Sequence, residues 1–361
     1  ISDALWTDFN NDGWMDLIVV GEWMPITFLK NDKGTLVDVS NSSGINGYKG
    51  WWNSLCAGDF DNDGDTDYVA GNVGSNTFYR ATFEKPITIH YGDFDQNGMF
   101  DMILSRYMKG YDGQERLYPV HGRKDMIEQM PAIRQLFPTH HAYATSTTNQ
   151  LLAKLDTTGM KIVEANYMMS SYIENLGNET FEIKPLPEEA QWAPIFGCKA
   201  RDINRDSYLD LMLIGNDFGM EIGSGRHDAL NGLILTGEGD GKGLFMPHEF
   251  DESGFFVPGD GKALASLGSS DGFLLMAATQ NRGPLKLFKS SKKQPQELIY
   301  ANSTDAYAEV TFADGNTRKV EFYHGSTFLS AQARFIPVYP HITSISVIDF
   351  SGQTRVVYTD K

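Results

Sequence analysis

The sequence predicts an all-β fold: the later blades of a β-propeller of roughly seven blades, with a short helical insertion and a small C-terminal β domain. Three observations carry this. An acidic nine-residue stretch occurs four times, each time running into an apolar strand: DFNNDGWMD, DFDNDGDTD, DFDQNGMFD and DINRDSYLD. Short strands separated by turns recur between these stretches, four to an antiparallel unit, which is the content of a blade. From residue 305 the pattern changes to two strand, glycine turn, strand copies, AEVTFADGNTRKV and ISVIDFSGQTRVV.

The acidic stretches place an oxygen-bearing side chain at positions 1, 3, 5 and 9. These are Asp8, Asn10, Asp12 and Asp16; Asp59, Asp61, Asp63 and Asp67; Asp93, Asp95, Asn97 and Asp101; and Asp202, Asn204, Asp206 and Asp210. So many carboxylates in short loops repel one another unless a cation sits among them. Calcium suits the pattern because it takes six to eight hard oxygen ligands in a flexible shell, whereas magnesium prefers a smaller octahedral shell and keeps its waters. Position 7 would add a backbone carbonyl, from Trp14, Asp65, Met99 and Tyr208. Position 6 is Gly13, Gly64 and Gly98 where the chain must turn sharply, and Ser207 in the fourth loop, which is therefore expected to be the weakest or most distorted. An EF-hand is excluded, since its position 12 Glu is replaced by Val19, Ala70, Leu104 and Leu213 and strand-like residues follow. The competing reading is a set of Asx-rich turns without metal.

The chain of 361 residues carries a net charge of −17, which argues against nucleic acid as a partner and for folding that improves with metal. Cys56 and Cys198 are the two cysteines, expected as buried free thiols in preference to a disulfide. Low-affinity structural calcium sites suit the calcium-rich exterior of a cell, so the expected location is extracellular, the outer-membrane surface or the periplasm. No membrane-spanning run is visible.

Along the chain, loop starts are separated by 51, 34 and 109 residues, so the units are uneven. Each unit is expected to end where the next loop begins. The first contains DLIVVG, PITFLKND, TLVDVS and WWNSLCAGDF; the second, short unit contains DYVAGN, NTFYRA and PITIHYGDF. The third includes an insertion at about residues 119–150, where KDMIEQMPAIRQLF predicts a short helix broken at Pro131. The fourth runs from DLMLIGN to KALASL, and a fifth starts at GFLLMAATQ after a turn, Gly268 to Gly272, that lacks the ligand series. The propeller reading covers residues 1–300 and the tail 301–361. Five units fall short of a typical ring, and the expectation is that an N-terminal segment or another chain supplies the remaining blades.

These loops and strands resemble the FG-GAP or VCBS repeats of calcium-binding β-propellers, and the tail, with VTFADG and GSTFLSAQARF, resembles the ASPIC/UnbV domain of the cartilage acidic protein family and of bacterial surface proteins. The resemblance implies that the residues named in each loop are calcium ligands and that the protein is secreted or anchored to an outer membrane. It departs at Ser207, in the insertion, and at Phe312-Ala313, where the family often has Trp-Pro. It supplies no reaction.

No nucleophile elbow, phosphate loop or dinucleotide fingerprint appears. His121, Arg123, Asp125, Glu128, His140 and His141 cluster in the insertion without the spacing of a zinc pair. Trp51, Trp52, Tyr107, Tyr111, Tyr118, Tyr167, Tyr172 and Trp192 fall at strand ends or in insertions, where rigid scaffolds carry recognition, though most are expected in the core. The expected function is a calcium-stabilised surface binding or interaction module for a glycan or a protein partner. The alternatives are a polysaccharide-acting hydrolase or lyase and a structural subunit of an envelope complex.

Overall fold

The computed structural model describes residues 1–221, 223–238, 244–269, 273–290, 295–325, 328–331 and 333–360. The fold is mostly antiparallel β-sheet with a helical insertion and a separate C-terminal sheet. Two compact units form. One comprises residues 1–47, 51–77 and 169–361, and the other residues 48–50 and 78–168.

In the larger unit the first sheet is ordered Asp3–Thr7, Asp16–Val20, Thr27–Asp32, Thr35–Asp38. The second is ordered Ser54–Gly58, Asp67–Gly71, Ser171–Asn175, Phe181–Pro185. Next comes Ile195–Arg201, Asp210–Gly215, Leu233–Gly237, Phe245–His248, and then a three-stranded sheet of Gly261–Gly268, Leu274–Gln280 and Lys286–Lys289. Apolar residues on successive sheets pack face to face. Phe9 and Phe28 of the first meet Phe181 of the second at 6.0 and 4.2 Å between ring centroids. Val69 and Tyr172 share a core with Leu211 and Leu213, and Met212 and Ile214 share another with Leu264 and Met276. Central strands such as Asp67–Gly71 and Asp210–Gly215 are buried along their whole length, which is why they read as continuous apolar runs.

The expected unit boundaries are corrected by the strand pairing. Each acidic loop joins the first two strands of one sheet, so Ser54–Gly58 pairs with Asp67–Gly71 across the second loop instead of completing the first sheet. The same shift moves KALASL from the fourth unit to the three-stranded sheet. NTFYRA forms no strand, and the other two strands of the second sheet come from residues 171–185, beyond the third loop. Sequence order misleads here because the smaller unit is spliced into the second sheet. Of the turn Gly268 to Gly272, residues 270–272 lie outside the described residues.

The smaller unit has its own sheet, ordered Glu115–Pro119, Asp101–Lys109, Ile87–Gly92, Lys161–Ala165. Helices α1 (Arg123–Gln129), α2 (Ile133–Leu136), α3 (His140–Ala144) and α4 (Thr148–Leu152) cover one face, burying Met126, Ile133, Phe137, Tyr143 and Leu151 with Ile103. Pro131 separates α1 from α2 as expected. Thr147 and Gln150 cap α4 reciprocally.

The tail sheet is ordered Thr317–Glu321, Asp305–Phe312, Ile342–Asp349, Thr354–Thr359, with Glu297–Tyr300 paired to Phe335–Val338 beside it. Gly315 and Gly352 turn their hairpins at φ of 90° and 81°. Of the stretch GSTFLSAQARF, residues 326, 327 and 332 lie outside the described residues.

Candidate metal centre

All four acidic loops adopt one conformation. Position 4 (Asn11, Asn62, Gln96, Arg205) has φ of 57°, 61°, 59° and 69°, and position 6 (Gly13, Gly64, Gly98, Ser207) has φ of 85°, 94°, 86° and 75°. Three hydrogen bonds then recur. The position 6 N–H donates to the position 1 carboxylate at 2.9, 3.2, 2.9 and 3.2 Å, in loop order. The position 5 N–H donates to the position 3 side chain at 3.2, 3.2, 3.3 and 3.0 Å. The position 7 N–H donates to the position 5 side chain at 2.9, 3.0, 2.8 and 2.9 Å. Ser207 keeps this pattern at a backbone angle that favours glycine, so the fourth loop is strained but not rearranged.

Asx turns explain those bonds without any ion, so the remaining oxygens are the informative ones. Asp16, Asp59 and Asp65 each retain a buried carboxylate oxygen with no hydrogen-bond partner. Burial pushes the Asp16 carboxyl up to about 7 and that of Asp59 to about 6. Asp65 is raised to about 8 by burial and then by Asp63, Asp61 and Asp59. A divalent cation would satisfy the Asp16 and Asp59 oxygens and hold those groups ionised, so the donor set fits calcium. Asp59, Asp61 and Asp63 offer oxygens within 4.8 Å of one another, as do Asp93, Asp95 and Asp101, and either triad could hold a divalent ion.

Loops 1 and 4 bring no such triad together among the described residues. In each, the position 3 amide donates to the position 5 carboxylate, Asn10 to Asp12 at 3.0 Å and Asn204 to Asp206 at 2.6 Å. The four position 9 residues open the second strand of their sheets with buried carboxylates. Asp67 is satisfied by the N–H groups of Phe60 and Asn175 and the Tyr172 hydroxyl, at 3.2, 2.9 and 2.8 Å. Asp210 accepts from Ile203 and Gly237 at 2.7 and 3.0 Å.

Residues 8–70 match the FG-GAP-like repeat. The match starts at Asp8 in loop 1 and ends at Ala70 in the strand after loop 2, so it spans both loops. It supports a generic calcium-binding repeat. No relative among curated proteins matches the chain.

Sequence reasoning missed the tail's part in this repeat region. The Thr317–Glu321 strand lies on loops 1, 2 and 4. The Lys319 N–H donates to Asp59 at 2.9 Å and its ammonium donates to the Asp8 carbonyl at 3.3 Å. Glu321 accepts from the Thr7 hydroxyl at 2.8 Å and the Asp8 N–H at 3.2 Å. Arg318 donates to Asn62 at 3.1 Å and to the Ser207 carbonyl, which also accepts from Asn62 at 2.8 Å. The only hint in the sequence was the basic pair in TRKVE, unremarkable by itself.

The insertion's polar residues divide. Asp125 accepts the Gly122 N–H at 3.1 Å, and Arg123 donates to the Phe137 carbonyl at 2.6 Å; both brace the helices. His140 and His141 begin α3. A cleft of about 670 Å³ nearby is lined by Tyr111, Arg116, Tyr118, His121, Arg123 and His140. Of the eight aromatic residues singled out, Trp52, Tyr118 and Tyr172 are buried, and Tyr111 is 98% exposed. Trp51 meets Trp23 in a tilted ring contact at 5.0 Å while Trp52, just past the end of its strand, enters the core. Cys56 and Cys198 are free and buried.

Proposed function

We propose that this protein is a calcium-stabilised binding module of the cell exterior. Its metal-loop sheets are read as propeller blades, its tail as an ASPIC/UnbV-like domain, and its insertion cleft as the place where a glycan or protein partner docks. The observation that carries the calcium reading is the set of buried, unpaired carboxylate oxygens inside loops that repeat one geometry. Loops 2 and 3 hold the acid triads, and loops 1 and 4 become sites when Asn10 and Asn204 turn their carbonyl oxygens toward the ion. The face-to-face packing of successive sheets supports blades, and the remaining blades come from outside residues 1–300. Among the described residues no helix is long and apolar enough to cross a membrane; the module is read as secreted, periplasmic or at the outer-membrane surface.

Calorimetric titration of chelator-treated protein tests the reading. Saturable calcium binding, weaker for magnesium and reduced by one site in Asp59→Asn/Asp63→Asn, is expected; absence of calcium binding overturns it. A glycan array read on wild type and Tyr111→Ala then tests the cleft.

A further inference from the structure

A cavity of about 180 Å³ lies in the larger unit, where the strands Ser54–Gly58 and Ile195–Arg201 meet the tail. In a chain of net charge −17, its wall is cationic. Most of its charged groups already have work: Arg318, Lys319 and Glu321 hold the metal loops, Arg201 donates to the Tyr339 hydroxyl at 2.8 Å, and Asp202 serves loop 4. Two cationic residues are left with donors to spare. The Lys199 side chain makes no hydrogen bond or ion pair among the described residues, and Arg334, whose Nη donates to the Asp305 carbonyl, keeps its buried Nε without a partner. The rest of the wall is apolar, including Phe322, Phe335 and Ile336.

We infer that this cavity binds a small organic carboxylate with an apolar body, its carboxylate paired with Lys199 and Arg334 and its body against the phenylalanines. Cationic donors set against an apolar wall lose part of their hydration, and an anion offsets that cost. Burial lowers the Lys199 ammonium below its ordinary pKa, the expected state of a lysine that lacks its counter-charge. The size suits one ring: an apolar cavity of about 150 Å³ is enough for benzene. An inorganic anion would leave the phenylalanine wall uncovered, and a neutral aromatic would leave both donors unpaired. Neither Lys199 nor Arg334 belongs to an acidic loop, and the inference does not depend on the calcium reading.

The test is calorimetric titration of the full chain, in calcium buffer near neutral pH, with sodium benzoate and with its neutral isostere benzamide. Benzoate should bind at one site and benzamide at least about tenfold more weakly, the worth of a charge-assisted hydrogen bond. Lys199→Met should weaken benzoate at least about tenfold, leave benzamide unchanged and raise the melting temperature of the ligand-free protein. Arg334→Met, read the same way, stands in if the first variant does not fold. No saturable benzoate binding at millimolar concentration, equal affinity for the two compounds, or benzoate binding that survives both substitutions overturns the inference.

Discussion

Raising the pH on metal-free protein is the sharpest test of whether the loops are built for a cation. Asp16 is fully buried, keeps one oxygen unpaired, and has its carboxyl pushed up from 3.8 to about 7, chiefly by burial. In the metal-free fold this group therefore holds a proton that the unfolded chain has released. A carboxyl raised in the fold contributes stability that is fully present below pH 3.8 and lost as the pH climbs through 7. One bound proton corresponds to about 1.4 kcal/mol per pH unit, so Asp16 alone removes at most about 2 kcal/mol between about pH 5 and 7. Asp59, raised to about 6, and Asp65, raised to about 8, act in the same direction. With calcium bound the carboxylates are ionised in the fold as well, and the loss disappears. Urea unfolding at both pH values, in chelator and in calcium, measures this. Metal-free stability that is flat or rises across the window, or that falls equally in calcium, would refute the reasoning.

Three further outcomes are expected. Gly64→Ala meets open space but forces a side chain onto φ +94°, costing about 1–2 kcal/mol by denaturant unfolding, whereas Ser207→Gly at φ 75° should be neutral or slightly stabilising. Arg318→Met should cost about 2–3 kcal/mol in the same assay, because a buried guanidinium leaves Asn62 and the Ser207 carbonyl with fewer partners; a loss under about 0.5 kcal/mol would remove Arg318 from the account. Cys56 and Cys198 should resist a thiol reagent in native protein and react together once urea unfolds the larger unit; fast native labelling of either would contradict their burial.

What could be read from the sequence follows the range of the interactions involved. The loops were legible because their ligand spacing is local: one nine-residue stretch fixes its own turn, down to the glycine that position 6 requires. Strand existence was legible for DYVAG and DLMLIG, whose burial along the whole strand shows as an unbroken apolar run. Pairing was not. Ser171–Asn175 belongs beside Asp67–Gly71 because Tyr172 and Ile173 complete a core begun a hundred residues earlier, and no local pattern records that. NTFYRA has the composition of a strand, yet no neighbouring edge takes it up. The tail's docking was illegible for the same reason, since Arg318, Lys319 and Glu321 meet partners more than a hundred residues away.

That docking changes how the acidic loops are to be understood. Four clusters of carboxylates could be neutralised by metal alone, but the tail already supplies Arg318 and Lys319 to loops 1, 2 and 4. Lys319 takes one oxygen of Asp59 through its backbone N–H and leaves the other buried and unpaired. The tail thus satisfies one oxygen of Asp59, and the other is free to meet a divalent ion. The two means of neutralisation act on shared groups, so chelation and loss of the tail's cations are coupled perturbations, and their effects on stability should not add.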